Sequence, residues 1–319
     1  MYNKYRGVYA FYIEQQVAFK KALGFKYVTE QYIYYTFDLF TIKRGETSVG
    51  ITRDLADAWL KLKPNESESY KHMRCTCLNQ LASFLCKIGI PSYIPQVPPK
   101  KSDFVPYIFS RNEIAAIFDA CDNIGIKRDQ KNSSVIMVPA LFRFLYGTGL
   151  RISEALSLKN KDVNLDDRCV IIKKSKNGKE RVVPLSESLS LVCKEYVKCR
   201  DLLVVKTSKE ENFFVSIKGA TCTQASVRGW FKIILWKAGI SRNDHGPRVH
   251  DLRHTFSVHS LAMMSEAGVD LYCSLPILST YLGHQSLEAT DKYVRLTAEI
   301  YPALLKDVDT ICLNVFPKN

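Results

Sequence analysis

Apolar and polar residues alternate at helical spacing along most of this chain. Residues 13–25, 27–43, 54–63 and 69–89 each mix the two classes with a helical period, which predicts an all-helical first 90 residues. The next stretch carries Pro91, Pro95, Pro98, Pro99 and Pro106. Proline cannot propagate a helix and favours extended backbone, so residues 91–106 read as an interdomain linker. Ser110 with Glu113 three positions later is a capping-box signature and opens a second domain. Helical patterns then cover residues 135–146, 151–158, 186–200, 223–239, 250–264, 275–284 and 286–296, followed by a helical tail. Gly147-Thr148-Gly149 interrupts the first of these runs. The exception is residues 169–185, which read as two strands around Asn177-Gly178, a strong short-range hairpin signal. The expected fold is mainly α with a small antiparallel β-sheet, in two domains: a helical one over 1–90, and one over 107–319 that ends in a tail helix.

Length and composition suit that picture. A chain of 319 residues with 46% hydrophobic residues has material for two cores. Lysine and arginine number 45 against 32 acidic residues, a formal net charge of +13. Such an excess favours a polyanionic partner, because basic surfaces release counterions from nucleic acid; a generally basic soluble protein would show the same charge. The ten cysteines form no CxxC pair, which argues against a zinc framework and for free thiols in a reducing compartment. The amino-terminal segment makes a poor signal peptide, and no apolar run has spanning length. A cytoplasmic protein without membrane contact is expected.

Candidate chemistry concentrates late in the chain: five of the six histidines lie between residues 245 and 284. His250 and His254 are four apart, a spacing that lets two imidazoles share a metal on a helix. However, the zinc-protease pattern needs glutamate after the first histidine; here Asp251 stands there and Arg253 adds a cation. No metal or other cofactor is expected. Phosphate chemistry fits better, since a guanidinium offers planar bidentate donors and stays charged. Arg151 follows Gly149 at a helix start, where an anion could dock, and Glu154 is placed to orient it.

The ordered set GTGLRISE, a hairpin lysine, HDLRH, YLGH and then a tyrosine resembles the tyrosine recombinases, or phage integrases. The resemblance covers residues 107–300 and extends more weakly to the first domain, which looks like that family's core-binding domain. It implies that Arg151 and Arg253 clamp the scissile phosphate, while His250 assists proton transfer and phosphate contact. His284 would hydrogen-bond the phosphate. Tyr293 would attack phosphorus to give a 3′-phosphotyrosyl link, and a lysine, best matched by Lys176, would protonate the 5′ leaving oxygen. The partner implied is double-stranded DNA carrying specific recombination sites, held by two domains from opposite sides, with four protomers on paired sites. The segment between HDLRH and LGH is longer than the family's compact form, which an extra turn of helix or a loop would absorb.

Elementary chemistry agrees. A tyrosine hydroxyl titrates near pH 10 and needs cations or a base to become a nucleophile. Fixed cations stabilise developing phosphate charge without a metal. Tyr281 is a rival nucleophile better read as core, and His254 and His259 read as structural. Lys71 and Arg74, with Lys100 and Lys101 in the linker, are candidate DNA contacts. The apolar tail positions Ile300, Leu304, Leu305, Val308, Ile311 and Cys312 would dock on a neighbouring protomer or on their own domain. Two alternatives share most of these features: a type IB topoisomerase-like enzyme that relaxes DNA alone, and a DNA-binding regulator that does not cleave.

Overall fold

A computed structural model describes residues 4–99, 105–125, 134–173, 180–202, 208, 210–241, 246–284 and 288–300. The chain divides into two compact units, Met1–Phe104 and Val105–Asn319.

The first unit holds four helices: α1 (Ala10–Ala22), α2 (Val28–Arg44), α3 (Arg53–Leu60) and α4 (Glu68–Lys87). Thr52 and Ser67 cap α3 and α4 by accepting from Leu55 N and Tyr70 N, and Gly45, at φ +78°, ends α2 in the left-handed conformation that glycine tolerates. Tyr9, Ile13, Ile33, Phe37, Trp59, Leu78 and Leu81 pack into its core. The first part of the proline-rich linker is bonded to this unit. Tyr93 N donates to Ile51 O at 2.6 Å, and Asn79 Nδ2 donates to Pro95 O at 2.9 Å. A backbone carbonyl and a side-chain amide thus supply partners for a segment whose prolines cannot form a ladder.

The expectation for Arg74 is corrected. It is fully buried, and its guanidinium donates to the Glu66 carboxylate at 2.6 and 2.5 Å and to the carbonyls of Trp59 and Lys61. With its donors turned inward, Arg74 is a core strut rather than a phosphate contact. Lys71, in the first turn of α4, is half-buried. Lys100 and Lys101 lie outside the described residues.

The second unit begins at Tyr107–Phe109, whose extended backbone is tied in by Phe109 N donating to Thr255 Oγ1 at 3.0 Å. Helix α5 (Arg111–Asp122) opens with the expected capping box: Glu113 N donates to Ser110 Oγ and Ser110 N to the Glu113 carboxylate. A short 3₁₀ turn leads into α6 (Val138–Thr148), which runs two residues further than its pattern suggested and breaks at Gly149, φ +59°. Helix α7 (Ile152–Ser157) follows. The sheet has three antiparallel strands in sequential order: β1 (Val163–Asn164), β2 (Cys169–Ile172) and β3 (Arg181–Pro184). Val170 pairs with Val183, and both face the core; Ile172 pairs with Arg181. The turn joining β2 to β3, which holds Lys176, lies outside the described residues.

Four long helices complete the unit around its core: α8 (Glu187–Asp201), α9 (Gln224–Lys237), α10 (Asp251–Glu266) and α11 (Leu271–Leu282); α12 (Glu288–Ile300) follows. Helix α10 packs against α6, α11 and α12 and is covered on nearly every face, so polar residues along it end up in the interior. The extra length after HDLRH is absorbed by running α10 to Glu266, turning at Gly268 (φ +80°) and starting α11 at Leu271. The tail beyond Ile300 lies outside the described residues. Among the described residues, no helix is long and apolar enough to cross a membrane.

Candidate active site

The candidate residues arrive from four places: the α6–α7 junction, strand β3, the start of α10, and the α11–α12 region. Gly149 makes the first of these possible. A Cβ there would lie 2.4 Å from Phe256 Cδ1, so only glycine allows α6 to end against α10. Arg151 then sits at the N-cap position of α7 with extended backbone. Helix α7 has only six residues, so the guanidinium, not the helix end, supplies the positive charge here.

Glu154 holds that guanidinium, as its position three residues on suggested. Its buried carboxylate accepts from Arg151 Nη1 at 2.9 Å and from Arg151 N at 3.1 Å. It also accepts from Arg181 Nη2 at 2.9 Å, a partner the sequence did not point to. Burial pushes the Glu154 pKa up, but the hydrogen bond and charge of Arg181, with those of Arg151, outweigh it and hold the carboxyl below its usual value. Arg181 extends the frame further: its Nε donates to Tyr281 O at 3.0 Å, and its guanidinium packs 3.0 Å from where a Cβ on Gly283 would stand. One residue on β3 therefore braces Arg151's partner and the Leu-Gly-His segment together.

Arg253 is the buried centre of the group, 2% exposed. Its Nη1 donates to Gly149 O at 2.7 Å, and its Nη2 to Leu282 O at 2.9 Å and to His284 Nε2 at 3.0 Å. These contacts pin the GTGLR loop and the LGH turn to one guanidinium. Burial and the nearby charge of Arg151 lower its pKa to about 10, so it stays a cation at neutral pH. Because Arg253 can only donate, His284 Nε2 accepts; the remaining ring proton is then on Nδ1, which faces Thr290 Oγ1 at 2.7 Å.

His250 stands at the N-cap position of α10, where it is exposed to solvent, and its ring meets that of His254 edge-on at 4.8 Å. Burial, then the charges of Arg253 and Arg151, lower the pKa of His250 to about 4; the same three causes bring His284 to about 4. Both imidazoles are neutral at pH 7.

Tyr293, on α12, is 1% exposed. Its ring lies parallel to that of His284 with centroids 6.3 Å apart, and Lys292 Nζ stands 5.2 Å from its centroid. Burial raises the Tyr293 pKa more than the charges of Arg253 and Arg151 lower it, so the hydroxyl keeps its proton here. Its hydroxyl lies 2.8 Å from Nδ1 of His254, a residue whose sequence context suggested only a structural role, and also hydrogen-bonds the side chains of Ser257 and Arg253. Tyr281, the rival phenol, stacks on Phe256 with its hydroxyl 3.5 Å from Pro184 O, away from this group. His259 bonds Tyr146 OH at 2.9 Å and is likewise part of the packing.

The sequence matches the model of the phage integrase family over residues 108–299. The chain belongs to that family. Among its relatives, the putative integrase/recombinase y4rB of Sinorhizobium fredii is 26% identical over 93% of this chain and 96% of its own length. The tyrosine recombinase XerD of Oceanobacillus iheyensis is 31% identical over 70% of this chain and 69% of its own. A solved structure of the XerH site-specific recombinase, bound to a palindromic difH substrate in a post-cleavage complex, covers 90% of this chain and 81% of its own with a TM-score of 0.64 at 23% identity. That likeness establishes the fold.

Proposed function

We propose that this integrase is a site-specific DNA recombinase that cuts and rejoins DNA through a covalent link to Tyr293. One observation carries the reading: the Arg253 guanidinium bonds both Gly149, two residues before Arg151, and His284, whose ring stacks on Tyr293. A phosphodiester entering this group would meet two fixed cations. Arg151 and Arg253 hold its non-bridging oxygens as negative charge grows in the transition state. His250, neutral and polar, adds a hydrogen bond to the same oxygens, and His284, whose Nε2 accepts from Arg253, holds that guanidinium in place. Tyr293 attacks phosphorus, and Lys176 on the β2–β3 hairpin gives its proton to the departing 5′ oxygen. The phosphotyrosyl bond stores the energy of the broken linkage, so rejoining needs no nucleotide cofactor.

The partner is duplex DNA with specific sites, bound mainly through the positive charge and read by a few groove contacts. Strand exchange places four protomers on two paired sites, in the cytoplasm, on behalf of a mobile element. The test is covalent capture on a nicked suicide duplex. Tyr293→Phe should bind DNA normally and form no adduct; an adduct with this variant refutes Tyr293 as the nucleophile.

A further inference from the structure

His254 lies outside the roles assigned so far, yet it is the side chain seated directly on the Tyr293 hydroxyl. Both groups are buried, and Nδ1 stands 2.8 Å from Oη. We propose that His254 is the base for the nucleophile: its Nδ1 takes the phenolic proton as Tyr293 attacks phosphorus. This rests on the assignment of Tyr293 as nucleophile.

Of the two imidazoles at the start of α10, His254 is the one bonded to the phenol, while the His250 ring packs edge-on against His254. Arg253 and Lys292 are cations without a lone pair to offer. The Ser257 hydroxyl donates to Arg253 O at 2.9 Å and has no basicity near neutral pH. His284 has its Nε2 lone pair on Arg253 and its Nδ1 turned to Thr290. His254 is presented by α10, where positions 250, 253 and 254 share one face, so one helical turn delivers the phosphate clamp and the base together.

Charge explains how such a base is switched on. His250, Arg248 and Arg253 from the α10 end, and Lys292 from α12, face His254; together with burial, the largest cause, they lower its pKa to about 3. In the free protein the ring is therefore neutral and the phenol keeps its proton. A docked phosphodiester brings negative charge beside Arg253, Lys292 and Arg248 and offsets their effect, raising the basicity of His254 when substrate is in place. The step balances. The Tyr293 O–H bond breaks and an Nδ1–H bond forms; the oxygen pair forms the bond to phosphorus. The P–O5′ bond breaks with its electrons on the 5′ oxygen, which takes a proton from the leaving-group acid. In rejoining, the 5′ hydroxyl attacks phosphorus and gives its proton back to the leaving-group acid, while the P–O bond to Tyr293 breaks and the imidazolium returns its proton to the phenol.

The experiment uses the full chain and a nicked suicide form of a duplex selected from a randomised pool by binding. Mass spectrometry of the wild-type adduct comes first: an adduct elsewhere than Tyr293, or none, overturns the nucleophile assignment and this inference with it. With the Tyr293 adduct in hand, His254→Ala should bind the duplex normally and cleave it on the order of 100-fold more slowly in single turnover. Added imidazole should recover part of the lost rate, because it can enter the vacated space and accept a proton. His254→Gln fills the space and can accept a hydrogen bond without taking a proton, so it should be as slow as the alanine variant and unresponsive to imidazole. Cleavage by either variant within about 3-fold of wild type overturns the proposal, since a lost general base costs far more.

Discussion

Glu154 offers the sharpest test of how the clamp is built. Its carboxylate is buried and accepts from two arginines, whose side chains are only 21% and 11% exposed for Arg151 and Arg181. Glu154→Ala removes the shared counter-ion and leaves two shielded guanidinium groups facing each other. Breaking a buried pair by deleting one partner costs about 3–5 kcal/mol, because the remaining charge stays desolvated. For a unit of this size each kcal/mol shifts the melting temperature by roughly 2–4 °C, so the loss should be roughly 6–20 °C. Scanning calorimetry of the full chain reads this directly. Arg181→Met on the Glu154→Ala background should then cost less than Arg181→Met alone, with a coupling of about 1–3 kcal/mol. Single-turnover cleavage should also fall roughly 100-fold, because Arg151 loses the group that aims it. A Glu154→Ala protein that melts within about 2 °C of wild type, or a coupling below about 0.5 kcal/mol, would refute the counter-ion role.

Two further outcomes follow from the same geometry. Gly149→Ala forces a Cβ into Phe256 at a positive φ and should destabilise the second unit by about 1–3 kcal/mol. It should lower cleavage more than DNA binding, since Gly149 O anchors Arg253; an unchanged cleavage rate would count against that anchor. Acid should destabilise the DNA-free protein through His254. Its folded pKa is about 3 against about 6.5 unfolded, so between those values the unfolded chain binds the extra proton. The stabilisation is complete above pH ~6.5 and is lost as pH falls through that window, at up to about 1.4 kcal/mol per pH unit. His254→Gln should flatten the urea-unfolding profile between pH 6 and 4.5 by close to one proton, and an unaltered slope would contradict the depressed pKa.

Much of the fold was legible because its helices are long and periodic. The capping pair Ser110 and Glu113 marked the start of α5, and Asn177-Gly178 bracketed the segment that forms β2 and β3. Strand β1 escaped because two residues are too few for an alternating pattern. Its turn is marked only by Asn164 Oδ1 accepting from Asp166 N and Asp167 N, a side-chain device that polar loops share. The proline run was read as an interdomain linker because proline signals extended backbone. Nothing local shows that Asn79 and Ile51 will bond that backbone to α4 and the loop before α3. Arg74 failed for a related reason: a basic residue near the start of a helix looks like surface until Glu66 and two carbonyls, eight to fifteen residues earlier, are seen to enclose it.

The site divides along the same line, between residues whose role is local and residues whose role needs a partner from elsewhere in the chain. Arg151 and Glu154 share one short segment, so their pairing could be written down from spacing. Arg253 stood out as a cation among histidines, and its motif order located the phosphate chemistry. Arg181 and His254 gave no such signal. Arg181 looks like an ordinary charged residue on a strand, and its partners Glu154 and Tyr281 come 27 residues before and 100 after it. His254 sits four residues from His250, a spacing whose strongest chemical association is a shared metal ion, and Arg253 argues against a cation there. Once the metal reading fails, spacing offers nothing else. The partner that defines His254 is Tyr293, 39 residues away on a different helix. Packing of α12 on α10 supplies that contact, and it turns a buried histidine into the neighbour of the nucleophile. The general consequence is testable in the other direction. If α12 were detached from α10, His254 would lose its partner and Tyr293 the group that holds it, while Arg151, Glu154 and Arg253 would keep theirs. Val294→Asp, which puts a charge among the apolar side chains between these helices, should therefore abolish adduct formation while leaving DNA binding largely intact. Equal loss of both would mean that α12 and the clamp are one structural unit rather than two.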